Sequence, residues 1–228
     1  MKQIHFYFDF ISPYAWLAFQ ALPQTLKGIS HEVHYHPVVF GAMLKHHGQL
    51  GPAEILGKRD WTYRQVMWLA KQQGTDLKMP AAHPFNSLAL LRLAVAAAGT
   101  NASSITQGQP NRYVVETIFK HVWCEGLDAA DPDRLATLQA HLFSQPSVSF
   151  LDPQSAEVKQ LLQQQTQQAI DLGLFGVPSM VVDGQVFWGN DALPMSRAYL
   201  EGDAWFESAD WRDAGKLPVG IRRAPSAK

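Results

Sequence analysis

The sequence predicts an α/β fold with two strand-bearing ends and a long helical middle. Three observations predict it. Two alternating strands flank a helix start near the N-terminus, a strand–turn–strand unit lies between residues 179 and 188, and helix-period apolar patterning fills most of what separates them.

Residues 3–10 (QIHFYFDF) place Ile4, Phe6 and Phe8 on one face of a strand and His5, Tyr7 and Asp9 on the other. Ser12-Pro13 then combines a hydroxyl N-cap with proline at the first helical position. The helix YAWLAFQALPQTL follows, with a bend expected at Pro23. Residues 31–38 (HEVHYHPV) alternate again, and a β-α-β opening normally sets its two strands parallel. Helices are predicted near 53–73, 86–99, 112–124, 131–144 and 154–172, with Asp131-Pro132 and Asp152-Pro153 repeating the cap-then-proline start. The polar stretch 99–111 is expected to be an exposed loop, and the tail after Gly215 to be loosely held.

At residue 176 the pattern changes to GVPSMVVDGQVFWGNDALP. Ser179 to Val182 and Gln185 to Trp188 read as a hairpin around Asp183-Gly184, with Asn190 or Asp191 capping a last helix. The order β-α-β, helices, β-β-α is that of a thioredoxin-like fold with a large all-α domain inserted after the first β-α-β unit. The expected division is 1–40 with 174–228 as the thioredoxin-like part and 41–173 as the inserted helical domain.

The bulk properties narrow the function. Of 228 residues, 46% are hydrophobic and 17% charged, enough apolar material for a real core. A net charge of −1 gives no footprint for nucleic acid or an anionic membrane, and no apolar run is long enough to span one. The N-terminus reads as a strand, so the expected location is the cytoplasm. The one cysteine, Cys124, rules out an internal disulfide and is expected to pack within a helix beside Trp123. His34 and His36 share a strand face without a carboxylate partner, so no metal site is assigned. The seven tryptophans are expected in the core, and Lys58 with Arg59 on a solvated face if they serve no ligand.

Ser12-Pro13-Tyr14-Ala15 sits where a thioredoxin fold carries Cys-Pro-x-Cys, and neither cysteine is present. Dithiol exchange needs two thiols, which excludes the usual disulfide chemistry. Ser12 is then either a plain N-cap or a hydroxyl that donates to a thiolate arriving from outside. A helix start offers an anion about 0.3–1 kcal/mol, and a charge-assisted hydrogen bond about 1.5–3 kcal/mol. Together they lower a thiol pKa by roughly one to three units. Val177-Pro178, before the third strand, is either an ordinary strand-start proline or a cis bond presenting the Val177 backbone to an extended peptide. Trp188-Gly189-Asn190-Asp191 is either a simple cap or a site whose helix N–H groups take a carboxylate while Asp191 takes an ammonium.

The segments FDFISPYAWLA, FGAMLKHHG, MPAAHPFNSLALLRLAVAA, VWCEGLDAADPDRL and TQQAIDLGLFGVPSMVVDGQVFWGNDAL occur in this order across most of the chain. Together they resemble the 2-hydroxychromene-2-carboxylate isomerases and the kappa-class glutathione transferases, within the DsbA-like thioredoxin superfamily. The resemblance implies glutathione as cofactor, with Ser12 facing its sulfur. It also implies that Val177 and Pro178 hold the cysteinyl backbone, Asn190 and Asp191 the γ-glutamyl end, and Lys45, Gln49 and Lys58 the region that closes over the tripeptide. Tyr14, His83, Asn86 and Arg92 fall to the acceptor pocket. Ala192 stands where the family commonly has arginine, and Gln49 where it commonly has asparagine.

The implied activity is isomerisation of 2-hydroxychromene-2-carboxylate, or a similar aromatic acid, to trans-o-hydroxybenzylidenepyruvate by reversible thiolate addition. A homodimer and a small aromatic carboxylate substrate are implied with it. The alternatives are a kappa-like glutathione transferase and a non-catalytic thioredoxin-like module that binds peptides.

Overall fold

The computed structural model describes residues 1–99, 107–144 and 149–221. Its sheet has four strands in the order β2-β1-β3-β4. β1 (Lys2–Phe8) pairs in parallel with β2 (His31–Pro37), and β3 (Ser179–Val182) runs antiparallel to both β1 and β4 (Gln185–Trp188). Asp183 and Gly184, with φ of 49° and 79°, make the two-residue turn between β3 and β4. Positive φ at both positions matches the right-handed twist of the strands it joins. The element order expected from the sequence is the one observed.

α1 (Pro13–Thr25) begins as predicted, with the Ser12 side chain accepting from the Ala15 N–H. It runs on past Pro23, which cannot donate to the carbonyl four residues back. That carbonyl, Phe19 O, instead receives both Arg112 guanidinium nitrogens at 3.4 Å, while the guanidinium lies 4.1 Å above the Phe19 ring.

The intervening helices are α2 (Phe40–His46), α3 (Leu56–Gln73), α4 (Leu88–Ala97), α5 (Arg112–Trp123), α6 (Pro132–Leu142) and α7 (Ala156–Asp171). After the sheet come α8 (Leu193–Leu200) and α9 (Ala209–Ala214). Asp131 caps α6 as expected. Ser155, not Asp152, caps α7, because Asp152 spends its side chain on the Gln154 N–H of a preceding turn. Neither α2 nor α9 was expected. α2 buries only Met43 and has no side-chain cap, so it carries almost no periodic signal. His46 and His47 form its last residue and its C-cap. Most of the predicted 99–111 loop and the end of the tail lie outside the described residues.

One apolar cluster joins the strand-bearing ends to the helical middle. Phe8, Phe10, Trp16 and Phe19 meet Phe119 and Trp123 of α5, with ring centroids from Phe119 to those four at 4.8–5.7 Å. A smaller cluster, including Tyr7, Met43, Ala169 and Val181, fills the opposite sheet face beneath α2 and α7. The expectation of a core role for tryptophan holds for Trp16 and Trp123. Trp61, Trp68, Trp188 and Trp205 are exposed. Cys124 lies at the end of α5 as its C-cap, half-buried, and burial pushes its thiol up to about 11. Among the described residues, no helix is long and apolar enough to cross a membrane.

Candidate active site

The turn from β1 into α1 is held from several directions. Asp9 is 1% exposed and accepts from the Ile11 N–H at 3.1 Å and from the Phe40 N–H, at the start of α2, at 3.0 Å. Burial raises its carboxyl pKa, opposed by hydrogen bonds from Ser87 and the backbone. The Trp123 indole donates to Phe10 O at 3.0 Å, and His83 Nε2 lies 2.8 Å from Ile11 O. A carbonyl can only accept, so His83 Nε2 carries a proton toward Ile11 O and the Tyr63 hydroxyl donates to His83 O at 2.8 Å, with His83 Nδ1 also 2.8 Å from that hydroxyl. Burial depresses the His83 pKa, opposed by the hydrogen bond to Ile11 O.

Ser12 sits at the end of that turn, 7% exposed. Its oxygen accepts from the Ala15 N–H at 3.2 Å and is 3.5 Å from Val177 O, at the limit of a hydrogen bond. A good O–H···O contact is about 2.7–2.8 Å. The hydroxyl proton is thus weakly engaged at a helix start whose own N–H groups favour an anion. The Val177–Pro178 bond is cis.

Beside this turn lies a cleft of about 970 Å³. Tyr14, Gln49, Lys58, Val177, Pro178, Asn190 and Asp191 all line it, drawn from five separate stretches of chain. Ser12 is not itself among the lining residues; its hydroxyl meets the carbonyl of Val177, which is one of them. The Tyr14 hydroxyl donates to Gln65 Oε1 at 2.6 Å, and burial raises its pKa, so the phenol stays protonated at neutral pH. Of the other charged lining residues, Arg197 is committed to Glu201 and to the Thr25 and Lys27 carbonyls. Lys58 and Asp191 have no such ion-pair partner within 4.0 Å among the described residues.

At the far wall Gly189 adopts φ +99°, and a Cβ there would fall 2.4 Å from Asp191 Oδ1. Glycine is needed at this position for the carboxylate to sit where it does. Asn190 and Asp191 open a short 3-10 turn, continuous with α8, in which no side chain caps the first N–H groups. Gln73 reaches Asn190 Oδ1 at 3.5 Å.

Four residues assigned from the sequence lie elsewhere. Lys45 and Arg92 line a second groove, on the other side of α2. His83 braces the β1–α1 turn, as described, and Asn86 accepts from the Leu88 N–H at the start of α4. Three contributors escaped the sequence reading. Asp9 was placed on a polar strand face, although an acid between two phenylalanines in FDF is the signal for a buried anchor. Phe175 and Trp188, with ring centroids 4.9 Å apart, form an apolar rim of the cleft.

A family model for the DSBA-like thioredoxin domain matches residues 3–201. The chain belongs to the DsbA-like thioredoxin family. Within it, the chain is 28% identical over 202 residues to a 2-hydroxychromene-2-carboxylate isomerase of Sphingobium xenophagum, covering 87% of this chain and 98% of that protein. It is 25% identical over 221 residues to glutathione S-transferase kappa 2 of Caenorhabditis elegans, covering 87% and 92%. The solved structure of a 2-hydroxychromene-2-carboxylate isomerase superposes with a TM-score of 0.66 at 23% identity, covering 91% of this DsbA-like chain and 98% of that one. That superposition shows a shared fold.

Proposed function

We propose that the chain is a glutathione-dependent isomerase of the 2-hydroxychromene-2-carboxylate type, with Ser12 as the catalytic residue at the glutathione sulfur. The observation that carries this reading is the weakly engaged Ser12 hydroxyl, 3.5 Å from Val177 O, at a helix start bordering the cleft. Two curated isomerases, of Sphingobium xenophagum and Pseudomonas putida, align at 28% and 27% identity over 87% and 84% of the chain.

The cleft's chemistry fits the tripeptide. Asp191 offers a carboxylate to an ammonium, the N–H groups opening the 3-10 turn suit a carboxylate, and Lys58 suits a second one. Glutathione, when bound, supplies the nucleophilic thiol that this chain lacks, since burial keeps Cys124 protonated at neutral pH. Ser12 holds its proton toward the sulfur position and favours the ionised form there. The Tyr14 phenol, protonated at neutral pH and donating to Gln65 Oε1 at 2.6 Å, lies on the cleft wall and would turn that proton to an oxygen of the acceptor. Phe175 and Trp188 give an aromatic acceptor an apolar face to lie against.

Incubation with glutathione and 2-hydroxychromene-2-carboxylate tests this by product analysis. Isomerised product with glutathione recovered unchanged is the expected outcome. A stable conjugate would make the protein a transferase, and absence of both products with no glutathione binding would leave a non-catalytic module.

A further inference from the structure

The second groove, between α2, α4 and α7, has a volume of about 530 Å³, within the range of roughly 300–1,000 Å³ typical of small-molecule sites. Three cations line it, one from each helix: Lys45, Arg92 and Lys159, with His46 beside them. No aspartate or glutamate among the described residues lines it. Among the described residues, none of the three cations has a carboxylate within 4.0 Å. The Arg92 Nε is moreover fully buried with no hydrogen-bond partner among the described residues. A buried guanidinium N–H is rarely left unpaired in a folded protein, because its desolvation then goes uncompensated. Convergence of three unpaired cations with an orphaned donor is what an oxyanion would resolve.

The rest of the lining says what carries that oxyanion. Val39, Leu88, Leu162 and Ile170 form an apolar wall beside the cations. An inorganic anion gains nothing from such a wall, whereas a hydrocarbon body gains from leaving water. We propose that this groove is a second binding site, for an amphiphilic carboxylate whose apolar body lies on these aliphatic side chains and whose carboxylate meets Arg92, Lys45 and Lys159. α2 stands between the two sites, with Phe40 and Leu44 lining the cleft and Ala42 and Lys45 lining the groove. The proposal is independent of whether glutathione occupies the cleft.

Calorimetric titration of the full chain with octanoate and with 2-naphthoate, at low ionic strength and with saturating glutathione present, tests it. Octanoate stands for an acyl and 2-naphthoate for an aryl source. At least one is expected to bind in a component that survives glutathione. Arg92→Gln and, separately, Lys159→Gln should each weaken that component tenfold or more, and 2-naphthamide and inorganic phosphate should bind at least tenfold more weakly than the best carboxylate. Lys159 is exposed, so its variant stays informative if Arg92→Gln lowers the melting temperature. Four results would overturn the proposal: neither carboxylate binding, full displacement by glutathione, equal affinity in Lys159→Gln, or phosphate binding as tightly as the carboxylates. If glutathione itself fails to bind while these effects appear, the groove stands and the isomerase reading falls.

Discussion

At the scale of single residues, the turn around Ser12 depends on one buried carboxylate. Replacing Asp9 with alanine orphans the Ile11 and Phe40 N–H groups at once. At about 1–3 kcal/mol for each buried unpaired donor, the loss should be about 2–6 kcal/mol, read from the urea midpoint. Ser12→Ala should cost only about 1 kcal/mol as a lost N-cap. The contrast separates a residue that holds the site from one that works in it. Ser12 was legible in the sequence because hydroxyl-then-proline after an alternating strand has a local cause. Asp9 was not: strand alternation assigns it to the polar face, and only the arrival of α2 and Ser87 from distant sequence buries it. Lys45 and Arg92 show the complementary limit, since linear proximity to the cleft's residues does not say on which side of α2 a side chain emerges.

At the scale of elements, the strands β1 and β2 bring three imidazoles together. His5 Nδ1 and His36 Nε2 are 2.9 Å apart, and His5 stacks on His34 with centroids 5.1 Å apart. Burial depresses the His36 pKa to about 3, and burial also lowers His5. A folded pKa below the unfolded 6.5 means that the unfolded chain binds more protons between those values. Stability from this group is therefore fully present above about pH 6.5 and lost as pH falls toward 3. By pH 5, His36 alone should remove about 2 kcal/mol, and His36→Phe should flatten that part of the stability–pH curve. At the 188–191 junction, Gly189→Ala forces a side chain into φ +99° and against Asp191. A cost of about 1–3 kcal/mol is expected, with glutathione affinity reduced alongside it in titrations. The strands, the hairpin and most helices were readable from alternation and helix period. α2 was not, because a short helix that buries one methionine leaves no pattern to read.

At the scale of the whole molecule, residues from the N-terminal turn, the helical middle and the C-terminal hairpin converge on one cleft over a continuous aromatic core. Phe119 touches Phe8, Phe10, Trp16 and Phe19, so the helical middle and the strand-bearing ends share their largest buried rings. Phe119→Ala should cost about 3–5 kcal/mol and lower a single cooperative unfolding transition. Two transitions, with only one affected, would show that the parts fold separately. The sequence made the fold readable because each end carries its own local signals. The cleft's breadth and its Phe175–Trp188 rim arise only when those ends meet.

What all of this converges on is a hydroxyl at a helix start that ionises a visiting thiol. Ultraviolet titration of thiolate absorbance in the glutathione complex, compared between the unaltered chain and Ser12→Ala, measures it directly. The bound thiol should titrate roughly one to three pH units below free glutathione in the unaltered chain. Loss of most of that depression in Ser12→Ala, with the fold retained, is the predicted result, and identical midpoints in the two proteins would contradict it.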